Sequence, residues 1–174
     1  MEKWTVDVNH SEVQFKVKHL ALSNVTGTFR VFKGEVEAEG DDFNNAKINF
    51  EIDAASVDTK VGERDNFLKS PHFLDIAQFP QILFNGTMNK KADGYEIEGE
   101  VNLHGIKKNL TLAVEFNGIG KGKQGDTRAG FEVNGKINRK DFGLIMDVLT
   151  EAGSLLMGEE IKLHFDVELI KLAS

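Results

Sequence analysis

The chain has 174 residues, a formal net charge of -7 at neutral pH and no cysteine. Its length predicts one domain covering residues 1–174. The acidic balance argues against nucleic-acid binding, which needs clustered lysine and arginine side chains to displace counterions. The absence of cysteine excludes disulfides, thiolate catalysis and cysteine-ligated metal sites. No apolar run approaches the ~18–20 residues that a bilayer-spanning helix requires, so we expect no integral membrane segment.

The first third of the chain alternates apolar and polar residues with period two, as half-buried strands do. Strands are predicted around residues 4–8, 13–17, 25–31 and 48–52, each with its apolar residues on one face. After Gly34 the apolar phase shifts by one residue, which predicts a bulge or bend within a long strand.

Residues 56–84 break this alternation and predict a helical insertion laid against the sheet or across its opening. The best helix runs from Gly62 to Ser70, because acidic residues near its start suit the positive end of the helix dipole. Pro71 disfavours simple continuation of this helix. A second helical turn is predicted around residues 74–76.

The remainder of the chain returns to period two. Further strands are predicted around residues 82–88, 95–103, 110–116, 129–137 and 161–169, with a glycine- and lysine-rich mobile loop at 118–126 and a loop with a helical turn at 145–157. The total is eight or nine strands joined mostly by short turns, the pattern of an antiparallel meander. Closing the meander into a barrel buries its apolar face and removes its edges, so we predict an all-β, extended antiparallel barrel of about eight strands.

The interior of this barrel is expected to be rich in phenylalanine. The chain has 13 phenylalanines against one tyrosine and one tryptophan, and most of them lie on the inward phase. An eight-stranded barrel is wide enough either to fill with side chains or to hold one ligand. A lining so poor in hydroxyls suits an alkyl or isoprenoid chain better than a sugar. The predicted lining residues are Phe15, Val17, Phe29, Phe67, Phe73, Phe84, Phe131, Phe142 and Leu144.

Four polar residues are candidates for a site at the cavity mouth. Arg64 and Asp65, within the helical insertion, form either a surface or capping ion pair or a polar pair that orients a ligand head group. Arg139, at the end of a strand, either satisfies backbone carbonyls in a turn or contacts a head group or a dimer partner. His19 lies at another strand end and is the fourth candidate.

Catalytic and metal-binding patterns are not evident in the sequence. None of the five histidines shows the i, i+4 helical spacing or the i, i+2 strand spacing of a metal-ligating pair. Neither a G-x-S-x-G motif nor a phosphate-binding loop occurs. We therefore predict no catalytic residue, no metal site and no cofactor.

Several short motifs keep a characteristic order and spacing along nearly the whole chain. They are HSEVQFKVKHL at residues 10–20, SNVTGTF at 23–29, SVDT at 56–59, ERD at 63–65, LKS at 68–70, FP at 79–80, LHGI at 103–106, INRKDFGL at 137–144 and GEEI at 158–161. In these motifs the chain resembles the YceI-like family of bacterial polyisoprenoid-binding proteins. It departs from the family pattern at Phe67, where histidine is common, at Leu74, where phenylalanine is usual, and at Asn109, where proline is usual.

The resemblance implies an extended lipocalin-like barrel whose tunnel holds a long polyprenyl or similar amphipathic chain. It also implies a frequent homodimer and no established catalytic residues. We therefore expect non-enzymatic binding, transport or storage of a polyisoprenoid, an isoprenoid quinone or a fatty-acid-like lipid. As the chain stands it shows no secretion signal, so a cytoplasmic location is expected, or a periplasmic one if a signal has been removed.

Two other functions remain open from the sequence. One is a lipocalin-like enzyme, a hydrolase or isomerase acting on a small apolar substrate, which would need an acid or base inside the cavity. The other is a structural or stress-interaction module whose barrel is filled by its own side chains. The first requires an ionisable residue on the inward phase, and the second requires a core without a tunnel.

Overall fold

The computed structural model describes residues 1–147 and 157–173, which form eleven strands and one α-helix. The strands are β1 (Glu2–Val6), β2 (Glu12–His19), β3 (Ser23–Phe29), β4 (Phe32–Glu39), β5 (Asp42–Asp53), β6 (Val57–Asp58), β7 (Gln81–Lys91), β8 (Gly94–Leu103), β9 (Ile106–Lys121), β10 (Thr127–Asn138) and β11 (Met157–Lys171). The helix α1 is Gly62–Lys69, and short 3-10 turns occupy Val8–His10, Ala54–Ser56 and Arg139–Phe142. Within this part of the chain no helix is long and apolar enough to cross a membrane.

Eight strands close into an antiparallel barrel in the order β1-β4-β5-β7-β8-β9-β10-β11, and β11 pairs back with β1. The predicted fold class, an antiparallel barrel of about eight strands with a short helix, is therefore confirmed. Closure leaves this ring without a free edge.

The remaining three strands extend the wall at one end of this ring. β2 pairs with the first half of β11, β3 pairs with β2, and β6 pairs with β3. The wall therefore contains three long strands that are each interrupted once: β1 continues into β2, β3 continues into β4, and β5 continues into β6. The helix α1 follows β6 directly and lies where the short β6 no longer continues the wall.

The predicted phase shift in the third strand lies earlier than expected. Gly34 is buried on the same face as Phe32 and Val36, whereas Val31 is 57% exposed. The shift therefore occurs at Arg30 and Val31, between β3 and β4. The backbone passes there from its pairing with β2 to its pairing with β5, and the Arg30 N–H donates to the Ser56 carbonyl at 3.2 Å.

Two local predictions were wrong, and a third can be tested only in part. Residues 71–78 form successive turns rather than a second helical turn. The glycine-rich loop predicted at 118–126 is shorter, because β9 continues to Lys121 and β10 begins at Thr127. The loop with a helical turn predicted at 145–157 lies mostly outside the described residues.

Candidate binding cavity

The barrel interior contains a cavity of about 570 Å³. All eleven strands and the helix α1 contribute residues to its lining. Its aromatic lining residues are Phe15, Phe29, Phe50, Phe67, Phe73, Phe84, Phe131 and Phe165. Most of the other lining residues are valine, isoleucine and leucine, so the wall has few polar groups to hold water.

One end of the cavity is closed by a cluster of aromatic side chains. Trp4 and Phe43 are both fully buried, with ring centroids 5.1 Å apart. Phe43 contacts Phe131 at 4.9 Å in an edge-on arrangement, and Phe116 stacks on Phe131 at 5.0 Å. Phe131 lines the cavity while Trp4 and Phe43 do not, so Phe131 forms the floor above this aromatic cluster.

The phenylalanine rings along the wall lie against glycines. Gly27 is the cross-strand partner of Phe15, and a Cβ on Gly27 would come within 2.3 Å of that ring. Gly34 is likewise the partner of Phe50, and a Cβ there would lie 2.7 Å from the Phe50 ring. Each glycine leaves space for a ring to lie flat on the wall, which keeps the centre of the barrel open.

The inward phenylalanines are not fully enclosed by protein. Phe50, Phe84 and Phe165 all line the cavity and are only partly buried. The rings of Phe50 and Phe165 are nearly parallel, with centroids 6.1 Å apart. Apolar surface of this kind inside a barrel is stabilised when an apolar ligand covers it. The alternative in which the barrel is filled by its own side chains does not hold, because the cavity is open.

The other end of the cavity, its mouth, carries most of the polar lining residues. β2 ends at His19, directly opposite Met157 on β11, and both residues line the cavity. Lys18, Glu63 and Arg64 also line it, from the end of β2 and the first turn of α1. The cavity is therefore apolar from its floor upward and becomes polar and charged at its mouth.

Thr59 holds the first turn of α1 in place. Asp65 accepts hydrogen bonds from the Thr59 backbone N–H at 2.8 Å and from its hydroxyl. Arg64 donates from Nε to the Thr59 hydroxyl and from Nη2 to its carbonyl, both at 2.7 Å. Arg64 and Asp65 thus share a structural partner. Arg64 lines the cavity, whereas Asp65 does not, so Asp65 serves the helix rather than the mouth.

Arg139 is fully buried and does not line the cavity. Its guanidinium donates to the carbonyls of Leu144 at 2.7 Å and Gly158 at 2.9 Å, and more distantly to those of Met146 and Met157. It also bonds the Asp147 carboxylate at 2.8 Å. In the structure Arg139 satisfies backbone carbonyls, which is the structural alternative, and it is not among the residues that line the cavity.

The carboxylate of Asp147 is shared with a second cation. Lys140 Nζ lies 2.7 Å from Asp147 Oδ2, and Arg139 binds the other oxygen. The hydrogen bonds from Lys140 and then from Arg139 lower the pKa of Asp147 from its usual value. Residues on both sides of the segment 148–156 are therefore fastened to the 3-10 turn that follows β10.

Most of the predicted lining residues face the cavity. Those that do are Phe15, Val17, Phe29, Phe67, Phe73, Phe84, Phe131 and Leu144. Phe142 does not: it is 3% exposed and packs in a cluster with Leu103, Val101 and Leu144 behind the wall. Phe142 belongs to the 3-10 turn after β10, where strand alternation no longer defines which side chains face inward. The role of the other residues in contacting a ligand stays a prediction.

Sequence reasoning missed several residues of the cavity. Phe50, Phe165 and Ile82 line it, and all three lie on the inward phase of predicted strands. That phase was the signal that could have identified them. Thr59 had no such signal, because its role depends on residues that follow it in α1.

An unpredicted charged cluster at the closed end joins the segment after β1 to β10 and β11. Arg128 Nη1 lies 2.6 Å from Asp7 and 2.7 Å from Glu168, and Arg128 Nε lies 2.7 Å from Asp126. Hydrogen bonds from Arg128 and then His10 lower the pKa of Asp7. The side-chain atoms of Asp7, His10 and Glu168 that could bind a metal ion lie within 4.8 Å of one another. The Arg128 guanidinium already binds the carboxylates of Asp7 and Glu168, so the cluster links the strands that close the barrel. We call this cluster the clamp.

Comparison with known proteins identifies relatives over most of the chain. A family model described as YceI-like domain matches residues 4–169. A UPF0312 protein of Serratia proteamaculans is 39% identical over 140 residues, which cover 80% of this chain and 73% of that protein. A UPF0312 protein of Yersinia pestis is 41% identical over 142 residues, with the same coverage.

Solved structures share the fold. The Campylobacter jejuni YCEI protein superposes with a TM-score of 0.76 at 30% identity, covering 91% of both chains. Burkholderia cenocepacia BcnA gives a TM-score of 0.81 at 18% identity, over 94% of this chain and 98% of that one. A polyisoprenoid binding domain from Saccharophagus degradans gives 0.71 at 16% identity, over 97% and 98%. The last two are similar in fold alone.

Proposed function

This chain belongs to the YceI-like family, and from that premise we propose that it is a non-enzymatic binding protein for a long, single-chain amphipathic lipid. The observation that carries the proposal is an open cavity that is closed at one end by aromatic rings and polar at the other. The lipid chain occupies the apolar length, and its head group lies at the mouth.

The dimensions of the cavity favour one extended chain. β11 lines it from Met157 to Leu169. At ~3.3 Å per residue and a strand tilt of ~40°, these positions span about 30 Å along the barrel axis. Dividing 570 Å³ by that length gives a mean cross-section of about 19 Å², a circle about 5 Å across. The length and small mean width of the cavity therefore favour one extended hydrocarbon chain over two side by side.

The volume also limits the number of carbons. At about 30 Å³ for a water-sized group, 570 Å³ accommodates about 19 non-hydrogen atoms. Burial of that many methylenes at ~0.8 kcal/mol each contributes about 15 kcal/mol. Association and ordering cost ~4–15 kcal/mol. Subtracting the middle of that range leaves a binding free energy of about 5–6 kcal/mol, which corresponds to a dissociation constant of tens of micromolar, on the order of 10⁻⁴–10⁻⁵ M. The apolar chain alone can therefore supply useful affinity before any head-group contact.

Arg64 and His19 are the proposed contacts for the head group. Arg64 is held by two hydrogen bonds to Thr59, and Nη1 of Arg64 is not used in either of them. A fixed guanidinium with a spare donor suits a carbonyl, carboxylate or phosphate oxygen. His19 lines the same end of the cavity from β2. These two residues would orient the lipid with its polar end outward.

Two further observations support this function. Among the described lining residues the ionisable ones are Lys18, His19, Glu35, Glu63 and Arg64, and all but Glu35 lie at the mouth. Glu35 is exposed between buried Gly34 and Val36, so its side chain points to the outer face of β4, and the described depth of the cavity offers no general acid or base. The Saccharophagus degradans neighbour is described as a polyisoprenoid binding domain, which supports a long chain as the ligand.

Native mass spectrometry of the purified protein, followed by solvent extraction, tests the proposal. We expect an adduct that extraction removes, and then uptake of single-chain lipids such as an 18-carbon fatty acid or a short polyprenol. A diacyl phospholipid should not be taken up, because its two chains together contain more carbons than the cavity volume accommodates. An apo mass, with nothing extractable and no uptake of either single-chain lipid, would contradict the proposal.

We also propose that the protein functions as a homodimer, as the family resemblance implies. Sedimentation velocity at low ionic strength over a concentration series tests this directly. A single monomeric species at every concentration would contradict it.

A further inference from the structure

A row of three lysines crosses the outer face of the barrel. Lys16 on β2 is the direct cross-strand partner of Lys162 on β11, and Lys162 is in turn the partner of Lys136 on β10. All three side chains are exposed. Like charges directly opposite on neighbouring strands repel each other and destabilise the sheet. We call this group the lysine row.

A row of four acids crosses the same face four residues away along the strands. Glu12 is the partner of Asp166, Asp166 is the partner of Glu132, and Glu132 is the partner of Glu115 on β9. At ~3.3 Å per residue, this acidic row lies about 13 Å from the lysine row. Between them lies a row without acids or lysines, formed by Gln14, His164 and Asn134.

This arrangement contrasts with the rest of the described wall. Lys33 and Glu51 face each other across β4 and β5, with a charge separation of 3.6 Å. Lys107 and Glu100 lie 4.0 Å apart across β8 and β9. At these positions opposite charges offset each other within one molecule. On the face formed by β2, β11 and β10 most charges lie in two parallel rows, although Lys136 Nζ also lies 3.9 Å from Glu160 and His164 Nε2 lies 3.4 Å from Asp166.

The two rows are complementary to each other. A two-fold axis that lies along the middle row, in the plane of contact, places each lysine of one molecule over an acid of a second copy. The resulting pairs are Lys16 with Glu12 of the partner subunit, Lys162 with Asp166 of the partner subunit and Lys136 with Glu132 of the partner subunit. The symmetry repeats each pair once, as in any isologous interface.

The surface is also shaped for contact. The outer face has a shallow depression bordered by residues of the lysine row and the middle row, including Lys16, Lys136, Lys162 and His164. Gly135, which has no side chain, lies within this depression on β10. A second convex barrel can therefore approach more closely here than on a uniformly curved wall.

We infer that this face is the contact surface between two copies of the chain, held by reciprocal ion pairs between the lysine row and the acidic row. The inference rests on the proposed homodimer and is independent of lipid binding. Because the pairs are exposed to solvent, salt screens them, and the dimer dissociates as ionic strength rises.

Charge reversal at the central pair tests the surface. By sedimentation velocity at about 20 mM salt, where screening is weak, Lys162→Asp and Asp166→Lys should each raise the dimer dissociation constant at least tenfold. The double variant, Lys162→Asp with Asp166→Lys, should restore dimerisation. An equimolar mixture of the two single variants should form heterodimers, because each then supplies the charge that the other needs.

A matched control reverses one exposed lysine on the far side of the barrel. Lys90→Glu on β7 should leave the dissociation constant within twofold of wild type, and circular dichroism should show that every variant folds. A wild-type dimer insensitive to both single reversals would overturn the assignment of this face while leaving the proposed homodimer intact. Monomeric wild-type protein would overturn both. Binding of the monomer to anionic vesicles that is lost in Lys162→Asp would also overturn it, by assigning the lysine row to a membrane.

Discussion

Replacement of Arg139 should separate a structural role from a ligand-binding one. The buried guanidinium bonds four carbonyls and one carboxylate, and Arg139→Ala leaves these acceptors without their donor. An unsatisfied buried polar group costs about 1–3 kcal/mol, and four carbonyls lose the same donor together. We expect the free energy of unfolding to fall by about 3–5 kcal/mol, roughly a third of an ordinary domain's stability.

Urea denaturation at neutral pH, followed by circular dichroism, measures this loss. Arg139→Lys should recover only part of the stability, because an ammonium cannot span acceptors on both sides of the turn as a guanidinium does. Lys140→Ala is the matched control: it removes a neighbouring cation that also contacts Asp147, but from an exposed position, so stability should change little. A loss below about 1 kcal/mol for Arg139→Ala, combined with weaker lipid binding, would refute the structural role.

Three other perturbations test the cavity, its mouth and the clamp at the closed end. Gly34→Leu should push the Phe50 ring into the cavity and weaken lipid uptake at least tenfold. Gly62→Leu, at the start of α1 where no other atoms lie close, is the control and should not weaken uptake. Equal uptake by both variants in a fluorescent fatty-acid assay would contradict the proposed binding mode. Arg64→Ala should abolish any preference for a fatty acid over its methyl ester while leaving affinity for the ester unchanged, and a preserved preference would exclude Arg64 as the head-group contact. Arg128→Met removes the partner that lowers the pKa of Asp7. A carboxyl whose pKa is lowered on folding stabilises the fold at pH values above its unfolded pKa, near 3.8, and this stabilisation is lost as the pH falls through the folded pKa. The Tm of Arg128→Met should therefore lie below that of wild type at pH 6, and the difference in Tm should shrink below pH 4. A Tm difference that is constant between pH 6 and pH 3 would show that this ion pair does not account for it.

Local patterns in the chain predicted much of the barrel wall. The inward phase of Phe15, Phe29 and Phe84 follows from period-two alternation, because successive side chains of a strand point to opposite faces. The helix at residues 62–69 was likewise predicted from its acidic start and from Pro71 beyond its end. Each of these features depends on residues within a few positions of one another.

Height along the barrel axis could not be predicted in the same way. Phe43 and Phe50 lie on one strand, yet Phe43 is fully buried in the closed end and Phe50 lines the open cavity. Phe142 and Arg139 fell outside the strand pattern because the chain turns there into a 3-10 segment. Their surroundings come from residues that the tertiary structure brings together around that turn, including Gly158 and Leu144.

The amino-acid sequence by itself determined that this chain forms a meander of strands with an apolar inner face and a short helix across it. Alternation and helix-end signals are local, and they need no knowledge of distant partners. Only the tertiary structure decided that the interior is open rather than filled, and that lysines face lysines across three strands. The open interior depends on closure between β1 and β11, which pair residues more than 160 positions apart, and the facing lysines depend on the register of β2 and β10 against β11.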